Sequence, residues 1–411
     1  MTDSIENYKK IRFYIEKNGR RCLRKPAGRL RYPFIDPAAT AYRNQMWDWD
    51  SCFCGLGLLD IYDDSVEYVV GCVRNFLSFM RKDGSIPYAI RTSQVDGLLP
   101  AAEEERRSPD TNSMKPLLAQ MILMAANHTD DNSWIQALIP EVERHIAHWE
   151  RTQQLNNGLF VWASYRGSGT DNHPAVYGRP LNSSVGVELN CFMYLEYKAM
   201  AMLYELLVEQ ERSTAYTRKA EALALAINTY MWDEPDGLYY HLDALSKKPP
   251  LAVQDVTWEV PLKFRSWTCF MPMYAGIASE EQARRMVEEH IMNEGEFWSA
   301  YGIRTMAKCE KCYSTTETSN PSNWQGPVWI LPCYFIYQGL VHYGYFHEAA
   351  QLAVNVQNAL ARDIEENGTI HEYYNPETGR SSINPDFLNW NTLAVLMCPD
   401  ENLLRQEGML K

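Results

Sequence analysis

Runs that are apolar nearly all round alternate along this chain with runs that are apolar on one face only. Ser51–Ile61, with Gly55 and Gly57, reads as a buried helix for which Asp50 can serve as N-cap. Ser65–Arg81 reads as an amphipathic helix that stops at Lys82-Asp83-Gly84. The same pairing recurs in Ser113–Ala126 with Ser133–Gln153, Leu181–Glu209 with Ser213–Met231, Thr268–Gly276 with Ser279–Met292, and Gly326–Tyr343 with Phe346–Glu366. If the N-terminal helix Ser4–Lys17 closes with Pro385–Met397, the count is roughly six pairs. Apolar inner helices alternating with amphipathic outer ones predict a closed double ring whose loops form a cup at one end, with an open solenoid as the other arrangement of the same pattern. Strand signals are short and sparse, Gly237–His241 being the best hairpin-like fragment. No Pro-, Gly- or Ser-rich linker divides the chain, so residues 1–411 are expected to form one domain.

Composition narrows the function classes. A net charge of −13 without clustered Lys and Arg argues against nucleic-acid and membrane-surface partners, and no apolar run approaches membrane-spanning length. Ten cysteines behind a charged Met1–Arg20 read as reduced thiols of a cytoplasmic protein. Cys309-Glu310-Lys311-Cys312 has metal-like spacing but no second Cys or His pair nearby, and no metal is expected. Of the 12 Trp and 25 Tyr, many lie in polar loops beside Asp, Asn and Gln, and flat apolar faces with polar edges are what pyranose rings stack on.

Five such loops, Trp47–Asp50, Asp83–Tyr88, Arg166–Pro174, Asn320–Trp329 and His371–Gly379, fall at one set of helix junctions and are expected to converge on one pocket. Tyr165–Pro174 carries a lone carboxylate, Asp171, among residues that bend the backbone and residues that bind hydroxyls or anions, Arg166 and Asn172 among them. Gly326-Pro327 reads as a tight turn at a helix start, beside the amide and indole edges of Trp324 and Gln325. Glu372 stands between aromatics in a short extended segment. Glycoside hydrolysis needs two carboxyl groups, one to donate a proton and one to act as base or nucleophile, and Asp171 and Glu372 are the pair whose context fits. Taken singly, each would more often be a cap or a surface residue. Gly-rich phosphate loops, Gly-x-Ser-x-Gly and metal-binding His clusters are missing from the sequence.

Four motifs, Trp47-Asp48-Trp49-Asp50, Gly169-Thr170-Asp171-Asn172, Asn323-Trp324-Gln325-Gly326-Pro327-Val328-Trp329 and Glu372-Tyr373-Tyr374-Asn375-Pro376-Glu377-Thr378-Gly379, occur in this order. In that order the chain resembles the inverting glycosidases of glycoside hydrolase family 63 over about residues 30 to 395, with its closest likeness to the mannosylglycerate and glucosylglycerate hydrolases. The resemblance implies an all-α (α/α)6 barrel, with Asp171 at the position of the general acid and Glu372 at that of the general base. It places Trp47, Trp49, Asp50, Trp324, Gln325 and Gly326 at the sugar subsite, and Tyr88 and Gln120, more loosely, at the aglycone. Two departures stand out. Gln325 replaces an Arg common in the oligosaccharide-cleaving members, and His173-Pro174-Ala175 replaces a frequent Ser-Pro-Arg, so that Arg179 becomes a candidate for the missing cation. Arg166 is the candidate for an anionic aglycone such as glycerate, whose carboxylate its planar fork suits.

The expected reaction is single-displacement hydrolysis of a small α-glucoside or α-mannoside, glucosylglycerate or mannosylglycerate first, with no metal or organic cofactor. An inverting pair implies a carboxyl separation of roughly 6.5–9.5 Å. The alternatives are an α-glucosidase acting on short oligosaccharides, a sugar epimerase or isomerase using His on the same barrel, and an idle carbohydrate-binding protein. Glucose against mannose, the aglycone, and monomer against homo-oligomer stay open at this stage.

Overall fold

The computed structural model describes residues 2–93, 113–247, 259–319 and 321–408. Its inner helices are α2 (Asp48–Leu59), α4 (Leu118–Ala126), α6 (Val187–Leu206), the 3-10 and α turns Trp267–Phe270 and Met271–Tyr274, α8 (Ile330–His342) and the 3-10 helix Asn389–Leu396. Outside them lie α3 (Ser65–Ser78), α5 (Ile139–Gln153), α7 (Gln210–Tyr230), the segment Glu280–Arg285 continued by the π-helix Met286–Ile291, α9 (Phe346–Asn367) and α1 (Thr2–Asn18). Helix α4 packs on α6, α6 on Met271–Tyr274, that turn on α8, α8 on Asn389–Leu396, and the last on α2, while α1 lies against α9. The double ring expected from the periodicity is therefore present, with α3 bridging α2 and α4. The ring closes tightly because Gly57 lets α2 touch Thr392: a Cβ there would sit 2.5 Å from Thr392 Oγ1. No helix among the described residues is long and apolar enough to cross a membrane.

Several predicted boundaries move, each for a physical reason. Helix α2 begins at Asp48 behind Trp47, so Asp50 is not its N-cap but a buried residue of its first turn. Helix α4 starts at Leu118 rather than Ser113, because Ser113 pairs with Pro87, the Met114 N–H donates to Ile86 O, and a residue before Pro116 disfavours helical backbone. Ser184–Val185 pairs with Leu242–Asp243 and delays α6 to Val187. Val328 pairs with Arg304 and Tyr374 and keeps the chain extended past Gly326-Pro327, so α8 begins at Ile330. The hairpin near Gly237 is present as Trp232–Asp233 against Leu238–Tyr239. Positions 94–112 lie outside the described residues, as does Asn320 of the predicted loop Asn320–Trp329.

Candidate active site

Four of the five predicted loops meet at one end of the ring. Asn172 ties the Asp171 loop to the next one: its Oδ1 accepts from Trp324 N–H at 2.7 Å, its backbone O from Gln325 Nε2 at 2.8 Å, and its Nδ2 donates to Asn323 Oδ1 at 3.1 Å. Asp171 Oδ2 accepts from the Ser322 N–H at 3.1 Å. Val328 and Tyr374 exchange backbone hydrogen bonds at 2.8 and 2.9 Å, which attaches the Glu372 segment to the same loop. The Gly326 N–H donates to Thr305 Oγ1. The loop Asp83–Tyr88 divides. Its Asp83 end lies against His148 and Arg151 of the outer helix α5, and only its Tyr88 end reaches the site, where Tyr88 O accepts from Asp48 N–H and its ring lies 5.5 Å from that of Trp47.

Glycine at 169 is required twice. Its φ of +74° is left-handed, and a Cβ there would lie 2.6 Å from Trp49 Cζ2. Trp49 cannot retreat, since it is 4% exposed and its ring lies 5.7 Å from that of Trp324 and 5.3 Å from that of Trp390. Gly169→Ala is expected to destabilise the protein by roughly 2–5 kcal/mol, adding backbone strain to overpacking, as read from urea unfolding.

Glu372 is 3% exposed, and both its oxygens meet neutral donors: Tyr42 Oη gives its hydrogen to Oε1 at 3.0 Å and Asn384 Nδ2 to Oε2. Burial pushes its carboxyl up to about 7, against those two hydrogen bonds, and the charge of Asp171 adds to the rise. Asp171 keeps partial exposure; desolvation raises its pKa too, opposed by Ser322 and by the charges of Lys115 and Arg166. Burial likewise lifts Asp50 to about 7, opposed by Asn389, whose Nδ2 donates to Asp50 Oδ1 at 2.5 Å. Tyr42 is held protonated by its own burial and by the charges of Glu372, Asp50 and Asp171, so one phenol feels all three carboxyls. Behind them Lys115 forms a buried ion pair with Asp48, Nζ to Oδ1 at 3.2 Å, and stands 4.4 Å from the Trp49 ring.

The predicted aromatic residues sort into two groups. Trp324 is 1% exposed and stacks on Trp329 at 4.0 Å, and Trp329 stacks on Tyr373 at 4.9 Å, so most of this indole surface forms the wall behind the site rather than an open platform. Each such pair contributes about 0.5–1.5 kcal/mol beyond its burial. Trp47 stays partly exposed, with its indole N–H buried and without a protein acceptor among the described residues. Gln120 belongs to the fold: its Nε2 donates to Pro116 O, Phe192 O and Glu196 Oε2. Arg166 Nε donates to Tyr165 Oη at 3.0 Å. Arg179 is engaged with Asp243 at 2.7 Å, which accounts for it without a role beside Asp171. Sequence reasoning missed Tyr42, Asn384, Asn389 and Lys115. Tyr42 opens the polar run that leads into Trp47-Asp48-Trp49-Asp50, which was the one available signal.

A family model described as the mannosylglycerate hydrolase MGH1-like glycoside hydrolase domain matches residues 42–390. A mannosylglycerate hydrolase of Thermus thermophilus is 22% identical over 431 residues, which cover 88% of this chain and 96% of that protein. A probable mannosyl-oligosaccharide glucosidase of Schizosaccharomyces pombe is 24% identical over 240 residues, 56% of this chain; the chain spans only 28% of that protein and 32% of its Arabidopsis thaliana counterpart. A crystal structure of the family 63 mannosylglycerate hydrolase from Thermus thermophilus with Tris and D-glycerate shares the fold, with a TM-score of 0.70 at 18% identity over 95% of this chain and 99% of that one. The helical double ring is thus the (α/α)6 barrel of those enzymes. With the family model covering most of its length, this chain belongs to the MGH1-like glycoside hydrolases.

Proposed function

We propose that the chain is an inverting α-glycosidase, acting as one domain, in which Asp171 protonates the leaving oxygen and Glu372 deprotonates the attacking water. The observation that carries this reading is the setting of Glu372: the donors Tyr42 and Asn384 on its two oxygens favour the ionised form against the burial that raises its pKa to about 7, which poises it as a base near neutral pH. Asp171 accepts the Ser322 N–H at Oδ2, and the desolvation that raises its pKa favours the protonated form a donor needs. Trp47 and Asp50 would bind the glycone, Trp47 through the part of its ring that stays exposed. Arg166 would take the carboxylate of a glycerate aglycone. A histidine-based epimerase is disfavoured because His173 and His241, the histidines beside the Asp171 loop, are buried and engaged with Ser266 and Glu188.

Hydrolysis requires ionised Glu372, so activity should rise with pH through its pKa. Tyr42→Phe removes a donor to the charged form and should move that acidic limb of kcat/KM upward by about one pH unit, the size of one charge-assisted hydrogen bond. A limb that stays in place or moves down assigns it to another group.

The substrate assignment is tested with glucosylglycerate, mannosylglycerate, kojibiose and trehalose at equal concentration. Release of hexose from a glycerate glycoside well ahead of the two disaccharides is expected. Turnover confined to kojibiose or trehalose would replace the proposed substrate class with oligosaccharides.

A further inference from the structure

A buried set of side chains behind the Asp171 loop takes no part in the steps above. His173, two residues past Asp171, accepts from the Ala175 N–H at Nδ1 (3.1 Å), so its hydrogen sits on Nε2 and goes to Ser266 Oγ at 2.7 Å. Ser266 Oγ lies 2.7 Å from Thr268 Oγ1, at the start of an inner-ring turn. The His173 ring stacks on that of His241, with centroids 5.2 Å apart and planes at 20°. His241 Nε2 lies 2.9 Å from Glu188 Oε2, and neither atom has another partner among the described residues. The second Glu188 oxygen accepts from the Trp162 indole N–H at 2.9 Å.

The chain path builds this set. Ser184–Val185 pairs with Leu242–Asp243, which brings the first turn of α6 beside His241, and Arg179 clamps Asp243 from the Asp171 side. Glu188 is fully buried; although burial alone would raise its pKa, His241 and the Trp162 indole hold it below the usual carboxylate range, and these two side chains are its close polar neighbours. Removing either member leaves a buried polar group without its neighbour, which costs about 1–3 kcal/mol, so the two side chains hold one arrangement. A rigid pair under the His173 ring fixes a segment that begins at Asp171.

We propose that Glu188, His241 and His173 are positioning residues of the hydrolytic site: the Glu188–His241 pair braces the His173 ring, and His173, locked to Ser266, sets the direction of the Asp171 carboxyl. This rests on Asp171 being the proton donor. It also gives the departure at His173 a purpose, since no smaller side chain would reach both Ser266 and the His241 ring.

The test compares two substrates with one glycone, the glycerate glycoside and the glycosyl fluoride, because fluoride leaves with little need of protonation. Glu188→Gln and Ser266→Ala are measured beside Asp171→Asn. A positioning role predicts that both lower kcat on the glycerate glycoside by about 10- to 100-fold, leave KM near its original value, and leave turnover of the fluoride little changed. Equal losses on both substrates, or no loss on either, overturn the positioning role while Asp171→Asn stays selective for the glycerate glycoside. Equal losses in Asp171→Asn overturn the donor assignment and this proposal with it. Should Glu188→Gln fail to fold, Ser266→Ala, which leaves the buried pair intact, decides.

Discussion

Glu372→Gln is expected to lower kcat by about 10²- to 10⁴-fold, the usual contribution of a positioned general base, while leaving the fold intact. The amide is isosteric: its oxygen can still accept from Tyr42, and its nitrogen can donate to Asn384 once that side chain turns its amide to present Oδ1, so the loss is chemical rather than structural. Stability should change in the opposite direction. The folded-state pKa of Glu372, about 7, lies above its ordinary 4.5, so its contribution to stability is fully present below pH 4.5 and is lost as pH rises through 7. The Gln variant carries no such titration. Its stability relative to the parent should therefore grow between those pH values, by on the order of 3 kcal/mol at 1.36 kcal/mol per unit. Urea unfolding at pH 5 and pH 8 reads the difference; a stability difference that is flat with pH would deny that this carboxyl is desolvated in the folded protein.

Asp171→Asn is expected to match that loss, about 10²- to 10⁴-fold on a glycerate glycoside, for a different reason. Asparagine can keep the contact with the Ser322 N–H but has no acidic proton to give to a departing alkoxide. Glu372 and Asp171 interact electrostatically, so the limbs of the pH profile belong to the pair. The descending, basic limb reports loss of the donor proton, and it should disappear in Asp171→Asn while the ascending limb persists. Persistence of the basic limb would place the proton donor elsewhere.

The sequence shows the ring and its members but not which of them are irregular. Helices α3, α7 and α9 have the apolar stripe or the length that periodicity detects, and their observed bounds lie within a few residues of those expected. Periodicity locates Thr268–Gly276, Ser279–Met292 and Pro385–Met397 as ring members, but not that they fold as the turns Trp267–Tyr274, the π-helix Met286–Ile291 and the 3-10 helix Asn389–Leu396, which packing and Pro272 set. Asp50 looked like a helix cap because an Asp before an apolar run usually is one, whereas its partner Asn389 is brought to it only by closure of the ring. Tyr42 meets Glu372 across 330 positions, a contact between two single residues that leaves no local pattern. Asp171 and Glu372 stand out in the sequence as candidates because each sits in a motif several residues long. The tryptophans were legible as a cluster but not as a wall, since only their stacking shows which faces are covered.

The central claim is the division of labour between a proton donor and a base that activates water, and the stereochemistry of the first product tests it most directly. Proton NMR of an α-glucosyl or α-mannosyl substrate in the first minutes of turnover, before mutarotation, should show the β-anomer of the released sugar appearing first. Initial release of the α-anomer would contradict the account, because it requires two displacements and a carboxylate that bonds to the sugar instead of to water.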